Sequence, residues 1–222
     1  LIEKGKRIAA EIFEASEADI EFSDGMFRVR GTDRAIGLIE LARESSKRKL
    51  PEALAGGLSV TEQNEMHTPV FPNGCHICEI EVDLETGAPE IVLYVAIDDV
   101  GRAINPLIVD GQTHGGIVQG VGQALWEECV FSNGQPLSGS FMDYGMPRAD
   151  QFPDFRTELN EVPSPTNPLG VKAGGEGGTT PAPGVISNAI MDALKEFGVR
   201  DIKMPLTPLK IWQAMQVKDK AA

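Results

Sequence analysis

Between Leu107 and Cys129 the sequence reads as one long helix, yet Gly111, Gly115, Gly116, Gly120 and Gly122 all fall inside it. Each glycine in a helix interior costs about 1 kcal/mol relative to alanine. A helix that carries several needs a compensating reason, and close approach of its backbone to another element or to a ligand supplies one. Gln112, Gln119 and Gln123 recur at a spacing that places them on one face. Bared backbone flanked by amides suits a bulky polar ligand, while tight packing in a core asks for the same glycines. Spacing alone leaves both readings open. Asn105-Pro106 opens the helix, with Asn105 as cap and Pro106 in the first turn.

A second glycine-rich stretch, Gly170-Val171-Lys172-Ala173-Gly174-Gly175-Glu176-Gly177-Gly178-Thr179-Thr180, runs into a helical pattern from Val185 to Phe197. Glycine lets backbone N–H groups come close to a ligand. A lone carboxylate fixed on such a loop, Glu176, is a candidate general base, because loss of hydration strengthens a carboxylate's hold on a proton. A plain flexible connection before a helix uses the same residues. A phosphate-binding P-loop is excluded by order, since Lys172 precedes the glycines and no Gly-Lys-Ser/Thr follows.

The other segments give an α+β pattern of mixed hairpins and helices rather than the regular strand–helix rhythm of a doubly wound sheet. Ile2 to Ala15 reads as a helix, and Asp19 to Val29 as a hairpin turning at Asp24-Gly25. Thr32 is the expected cap of a helix from Asp33 to Ser45, and Leu54 to Asn73 is expected to hold one strand plus loops. Gly74 to Asp83 alternates as a strand, Glu85-Thr86-Gly87 turns it, and Ile91 to Ile97 returns. Asn133-Gly134 marks another hairpin, Ser140 to Tyr144 and Phe155 to Glu161 are expected strands, and Pro163, Pro165 and Pro168 force an extended run. Gly198 closes the helix after Phe197, and Thr207 caps a last one to about Val217. This organisation predicts a lead-in of residues 1–50 and a main part of residues 54–222.

Charge and composition narrow the function. The net charge of −13, from 20 basic and 33 acidic residues, lacks the electrostatic footprint of a nucleic-acid binder. No apolar run approaches the roughly 20 residues of a spanning helix, and no secretory signal opens the sequence, so no membrane partner is expected. The opening Leu1-Ile2-Glu3 has no initiator methionine, which points to a piece of a longer polypeptide. Three cysteines make an odd count that fits a reducing, cytoplasmic setting. Cys75-x-x-Cys78 with His76 is a poor zinc site: there is no second ligand pair, and the two thiols of a strand at this spacing face opposite ways. No metal-ligating residue is assigned.

Taken together, several ordered motifs resemble the molybdenum-binding large subunit of the xanthine dehydrogenase / aldehyde oxidase / carbon monoxide dehydrogenase superfamily. They are Gly74-Cys75-His76 with Glu79-x-Glu81-Val82-Asp83, and Asp99-Val100-Gly101-x-x-Ile104-Asn105-Pro106. Gly111-Gln112-x-x-Gly115-Gly116-x-x-Gln119-Gly120 follows, and then Pro163 through Thr179. Ser140-Phe141-Met142-Asp143-Tyr144 and Met146-Pro147-Arg148 are most similar to the carbon monoxide dehydrogenase large-chain group, and the similarity reaches Trp212.

The resemblance implies the C-terminal half of a molybdenum-cofactor-binding domain in a hydroxylase that acts on an aldehyde, an N-heterocycle or carbon monoxide. It implies molybdopterin, in its cytosine dinucleotide form, with 2Fe-2S clusters and FAD on other subunits or domains. Glu176 matches the family's base, while Gln112, Lys172, Gly174 and Gly175 match its cofactor-binding positions. The implied partners are the upstream half of the molybdenum domain, iron–sulfur and flavin subunits and a small-molecule substrate, in an oligomer. The family commonly has glycine where Ala173 stands, and its upstream contacts, including a copper-binding cysteine loop in some members, have no match here. A structural or assembly module that forms one wall of the cofactor site, inactive by itself, is the alternative.

Overall fold

The computed structural model describes residues 1–216 and divides into two compact units, Leu1–Glu65 and Met66 onward. The first unit begins with helix α1 (Ile2–Phe13), whose Ile8, Ala9 and Ala10 are buried. Strands β1 (Ile20–Ser23) and β2 (Met26–Val29) form the expected hairpin, with Asp24 at φ 50° and Gly25 at φ 76° in the turn. Those two left-handed residues give the turn a twist that matches the strands on either side.

One expectation fails in this unit. Residues 33–37 do not start a helix: Ala35–Gly37 forms a third strand, β3, antiparallel to β2, and helix α2 begins only at Leu38 and runs to Lys47. The Thr32 hydroxyl donates to the Val29 carbonyl and accepts from the Arg34 amide. It closes a tight turn instead of capping, which is the usual competition between hydroxyl side chains and the helix backbone. Phe27, Ile36, Leu41 and Leu54 complete the unit's core with α1.

The second unit is built on a long antiparallel pair, β4 (Asn73–Val82) with β5 (Pro89–Asp99), interrupted by a bulge at Glu79/Ile80. Strand β8 (Arg156–Leu159) adds to β5 in parallel, Asp98 standing opposite Leu159. A parallel pairing requires a crossover. Here it contains helix α3 (Pro106–Leu125) and the small hairpin β6 (Phe131–Ser132) and β7 (Gln135–Pro136). The Asn105 side chain accepts the Ile108 amide at 3.2 Å and Pro106 occupies the first turn, so α3 starts as its sequence requires. Helix α4 (Ala182–Ala193) packs on β4 and α3, and helix α5 (Pro208–Gln216) follows. Tyr94, Ile117, Val121, Ile186, Ile190, Leu206 and Ile211 form one core.

Two further expectations are corrected. Leu54 to Asn73 contains no strand until Asn73 begins β4; Glu52–Leu54 is a short 3-10 turn. Ser140 to Tyr144 is a turn, with the amides of Asp143 and Tyr144 both bonded to the Ser140 carbonyl. The Ser140 hydroxyl donates to Asp143 Oδ2 at 2.6 Å, a local bond that draws the backbone out of an extended form. Gly198, at φ 71°, closes the turn after α4 as expected, whereas the predicted end of α5 at Val217 lies outside the described residues.

Candidate active site

Helix α3 has two unlike faces. Thr113, Gly116, Ile117, Gly120, Val121 and Ala124 are buried, while Gly111, Gln112, Gly115, Gln119 and Gln123 are exposed. On the buried face α3 meets the glycine loop backbone to backbone. A Cβ at Gly116 would lie 2.9 Å from the Thr179 nitrogen, and one at Gly178 would collide with the Thr113 carbonyl oxygen. Thr179 secures the contact, its hydroxyl donating to the Gly116 carbonyl at 3.1 Å and to Gln119 Oε1 at 3.3 Å. The glycine density of both segments thus has a shared cause: two backbones touch. Gly111, Gly115 and Gly175 differ, since a Cβ at any of them would meet nothing within 4 Å.

The loop's other anchor is a buried ion pair. Lys172 Nζ lies 2.5 Å from Asp99 Oδ2, each side chain 11% exposed, and the Lys172 amide donates to the Val100 carbonyl. Asp99 Oδ1 accepts from the Gly101 and Val162 amides. Burial pushes the Asp99 carboxyl up, but the Lys172 bond and the two amide bonds outweigh burial and hold it below the usual carboxylate range. This knot ties the start of the loop, the segment after β8 and the end of β5 together.

Between these anchors the loop bounds a cavity of about 550 Å³. Gly175 and Glu176 line it with Phe71, Gly74, His76 and Asp98. Glu176 is exposed, and its backbone carbonyl accepts from the Thr180 amide in the turn that leads to α4. Ala173 also lines the cavity, its amide directed at the Val70 carbonyl at 3.4 Å. The cavity therefore unites two of the five expected site residues, Gly175 and Glu176. Lys172 and Gly174 border a separate groove of about 260 Å³ with Arg102, Asn105 and Ile108. Gln112 lines neither and lies exposed on α3, while Gln119 is the glutamine in contact with the loop.

Beneath the cavity runs a buried polar line that the sequence reading overlooked. His76 Nε2 lies 3.1 Å from Asp98 Oδ1, and Nδ1 lies 3.0 Å from the Tyr94 hydroxyl. Thr113 Oγ1 approaches Asp98 Oδ2 at 3.5 Å. The His76 and Asp98 side chains are 1% and 6% exposed. Burial first, then the neighbouring Cys78 and Asp98, push the Tyr94 phenol well above its ordinary value, so it stays a neutral hydroxyl. Strand parity carried the missing signal: His76 shares its face of β4 with Cys78, Ile80 and Val82, and Asp98 follows the buried Tyr94 and Ala96 on β5. A polar residue in an inward register is the kind that needs an explanation.

The cysteines play no visible part in this site. Burial, and then the Glu79 charge, push the Cys78 thiol up to about 12, and Cys75 is exposed on the other face of β4. Among the described residues no three His, Cys, Asp or Glu side chains converge as a metal-binding group. Nor is any described helix long and apolar enough to cross a membrane.

Comparison with known proteins agrees with this architecture. The family model described as "Molybdopterin cofactor-binding domain" matches residues 1–153. The 6-hydroxypseudooxynicotine dehydrogenase complex subunit gamma of Paenarthrobacter nicotinovorans is 38% identical over 100% of this chain and 28% of the relative. The carbon monoxide dehydrogenase large chain of Afipia carboxidovorans is 31% identical over 95% of this chain and 26% of its own length. Among solved structures, the Cu,Mo-CO dehydrogenase in its carbon monoxide reduced state superposes with a TM-score of 0.86 at 31% identity, over 99% of this chain and 28% of that one. The chain thus spans between a quarter and a third of the length of these proteins.

Proposed function

The chain belongs to the molybdopterin cofactor-binding domain family, and from that premise we propose that it forms the C-terminal part of the catalytic subunit of a molybdenum hydroxylase, with Glu176 as general base. The observation that carries the reading is the cavity in which the open backbone of Gly175 and the exposed carboxylate of Glu176 stand together. The residues fit the group: Gly175 opens onto the cavity, and Gly111 and Gly115 leave backbone bare on the exposed face of α3, where Gln112 and Gln119 also lie. Such a wall offers amide donors and bare backbone to an anionic pterin and its polar ring edges. The cofactor would supply an oxidising metal centre and a water-derived oxygen nucleophile.

What the chain supplies is position and a place for a proton. Glu176 stands on a loop fixed at both ends, by the Lys172–Asp99 knot before it and by the Gly178–Thr179 contact with α3 after it. A carboxylate so held can take a proton from a nucleophile without wandering, and restraint of this kind is a large part of general-base efficiency. Gly174, Gly175 and the exposed Gln112 would border the cofactor. The Lys172 backbone would face the same ligand while its ammonium holds Asp99.

The cofactor takes the cytosine dinucleotide form, and the upstream half of the molybdenum domain completes the site. Iron–sulfur and flavin subunits in an oligomer carry electrons away, and the reaction takes place in the cytoplasm. The named relatives support this picture, being a dehydrogenase complex subunit and a dehydrogenase large chain. Glu176→Gln in the complete enzyme tests the assignment. Turnover should fall by at least about 100-fold while molybdenum content persists, and near-normal turnover would overturn it.

A further inference from the structure

We propose that Asp98 and His76 form a proton-holding pair behind the candidate base, electrostatically coupled to Glu176 across the cavity they share. The proposal rests on the reading of Glu176 as the base and assigns the proton its next location. Glu176 gives up the proton it has gained and returns to the carboxylate. The Asp98–His76 pair receives that proton through water in the cavity, so one proton moves and no other bond changes. At about 550 Å³ the cavity has room for such water.

Three observations carry the assignment. Asp98, His76 and Glu176 line one cavity, although the first two are almost wholly buried and the third is exposed. Asp98 also lies against the loop that carries the base: the Gly177 Cβ position, one residue beyond Glu176, is 3.8 Å from Oδ2, while Oδ1 fills the space a side chain at Gly74 would need. Finally, the pair has a partner that satisfies it in either protonation state. With one proton on the imidazole, the Tyr94 hydroxyl donates to Nδ1 and Nε2–H donates to Asp98; with a second, Nε2–H keeps Asp98 and Nδ1–H donates to the phenol oxygen, so both ring nitrogens keep a partner. No buried side-chain polar atom among the described residues is left without a bond. A buried histidine–carboxylate pair is weak evidence of stabilisation, since apolar replacements are often as stable. Its value lies instead in keeping a partner at both ring nitrogens when a second proton arrives.

Cys78 on β4 and Tyr94 on β5 lie on the core side, while Asp99 on β5 is engaged by Lys172. From α3 come Thr113, which bonds Asp98, and Asp110, which shares a second cleft with Asp98. His114 lies beside Asp110, and Glu158 of β8 lines that same cleft. From the loop comes Glu176.

Histidine titration by nitrogen NMR in the 222-residue chain reads the coupling directly, because its three histidines are His67, His76 and His114. Replacing Glu176 by Gln removes a negative charge, so the His76 midpoint should fall by about half a pH unit, the order expected for two charges that face one wet cavity. Glu176→Asp, which keeps the charge, should restore most of the difference, and His114 should titrate as before in both variants. A His76 midpoint that Glu176→Gln leaves in place would overturn the pair, even if that variant abolishes turnover in the complete enzyme. A shifted midpoint with turnover intact would keep the coupling and instead overturn Glu176 as the base. The NMR measurement needs no cofactor, so the two failures are distinguishable.

Discussion

A Cβ built on Gly116 would sit 2.9 Å from the Thr179 nitrogen, while one on Gly115, its neighbour in α3, would meet nothing within 4 Å. The loop repeats the contrast: Gly178 is pressed against the Thr113 carbonyl, whereas Gly175 opens onto the cavity. Packed and open glycines occur together in the same two segments, and they answer to different pressures. The packed ones let two backbones touch and are required by this chain's own fold. The open ones weaken α3 and crowd nothing here, so whatever excludes a side chain from them lies outside these residues. A cofactor bordered by both segments, as proposed above, would supply that reason.

Substitutions at the two kinds of glycine should therefore diverge. Gly178→Val should have the largest effect on the fold, a loss of about 3 kcal/mol by chemical denaturation, because a side chain would be driven into helix backbone with no route of escape. Next comes Lys172→Met, which breaks the knot and leaves Asp99 buried without its cation. With both side chains 11% exposed, the loss should be about 2 kcal/mol, below that of a fully enclosed pair. The folded-state carboxyl of Asp99 titrates below the usual range. Its contribution is thus fully present above about pH 4, the unfolded value, and disappears as pH falls through the folded one. The gap between Lys172→Met and the parent should accordingly narrow in acid. Smallest and opposite in sign is Gly115→Ala, which should raise the chain's stability by up to about 1 kcal/mol. A destabilising Gly115→Ala would show that the open face is packed after all.

The same contrast explains what was legible in the sequence. Glycine content within a helical pattern pointed to close approach, and the cap at Asn105-Pro106 and the turn at Asp24-Gly25 rest on local chemistry that tertiary structure has no reason to override. Spacing could not tell packed glycines from open ones, because that depends on which element arrives from 63 residues away, as Thr179 does at Gly116. Thr32 and Ser140 misled for a common reason: a hydroxyl that can cap a helix or sit in a strand can also fold back on its own turn. The cavity's far wall, Val70 to Gly74, belongs to a stretch without a regular pattern before Asn73. Asp98 and His76 were visible as inward-register polar residues, but only once β4 and β5 were aligned did Gly74 stand opposite Asp98 and His76 opposite Ala96.

The central claim is that Gly170–Thr180 faces a cofactor, and Gly175→Val addresses it most directly. Gly175 is exposed, and a Cβ there has no neighbour within 4 Å, so the chain itself has no objection to the substitution. The variant chain should melt with its parent, whereas the complete enzyme carrying it should lose most of its molybdenum and pterin. An unchanged melting temperature together with full cofactor content would contradict the account.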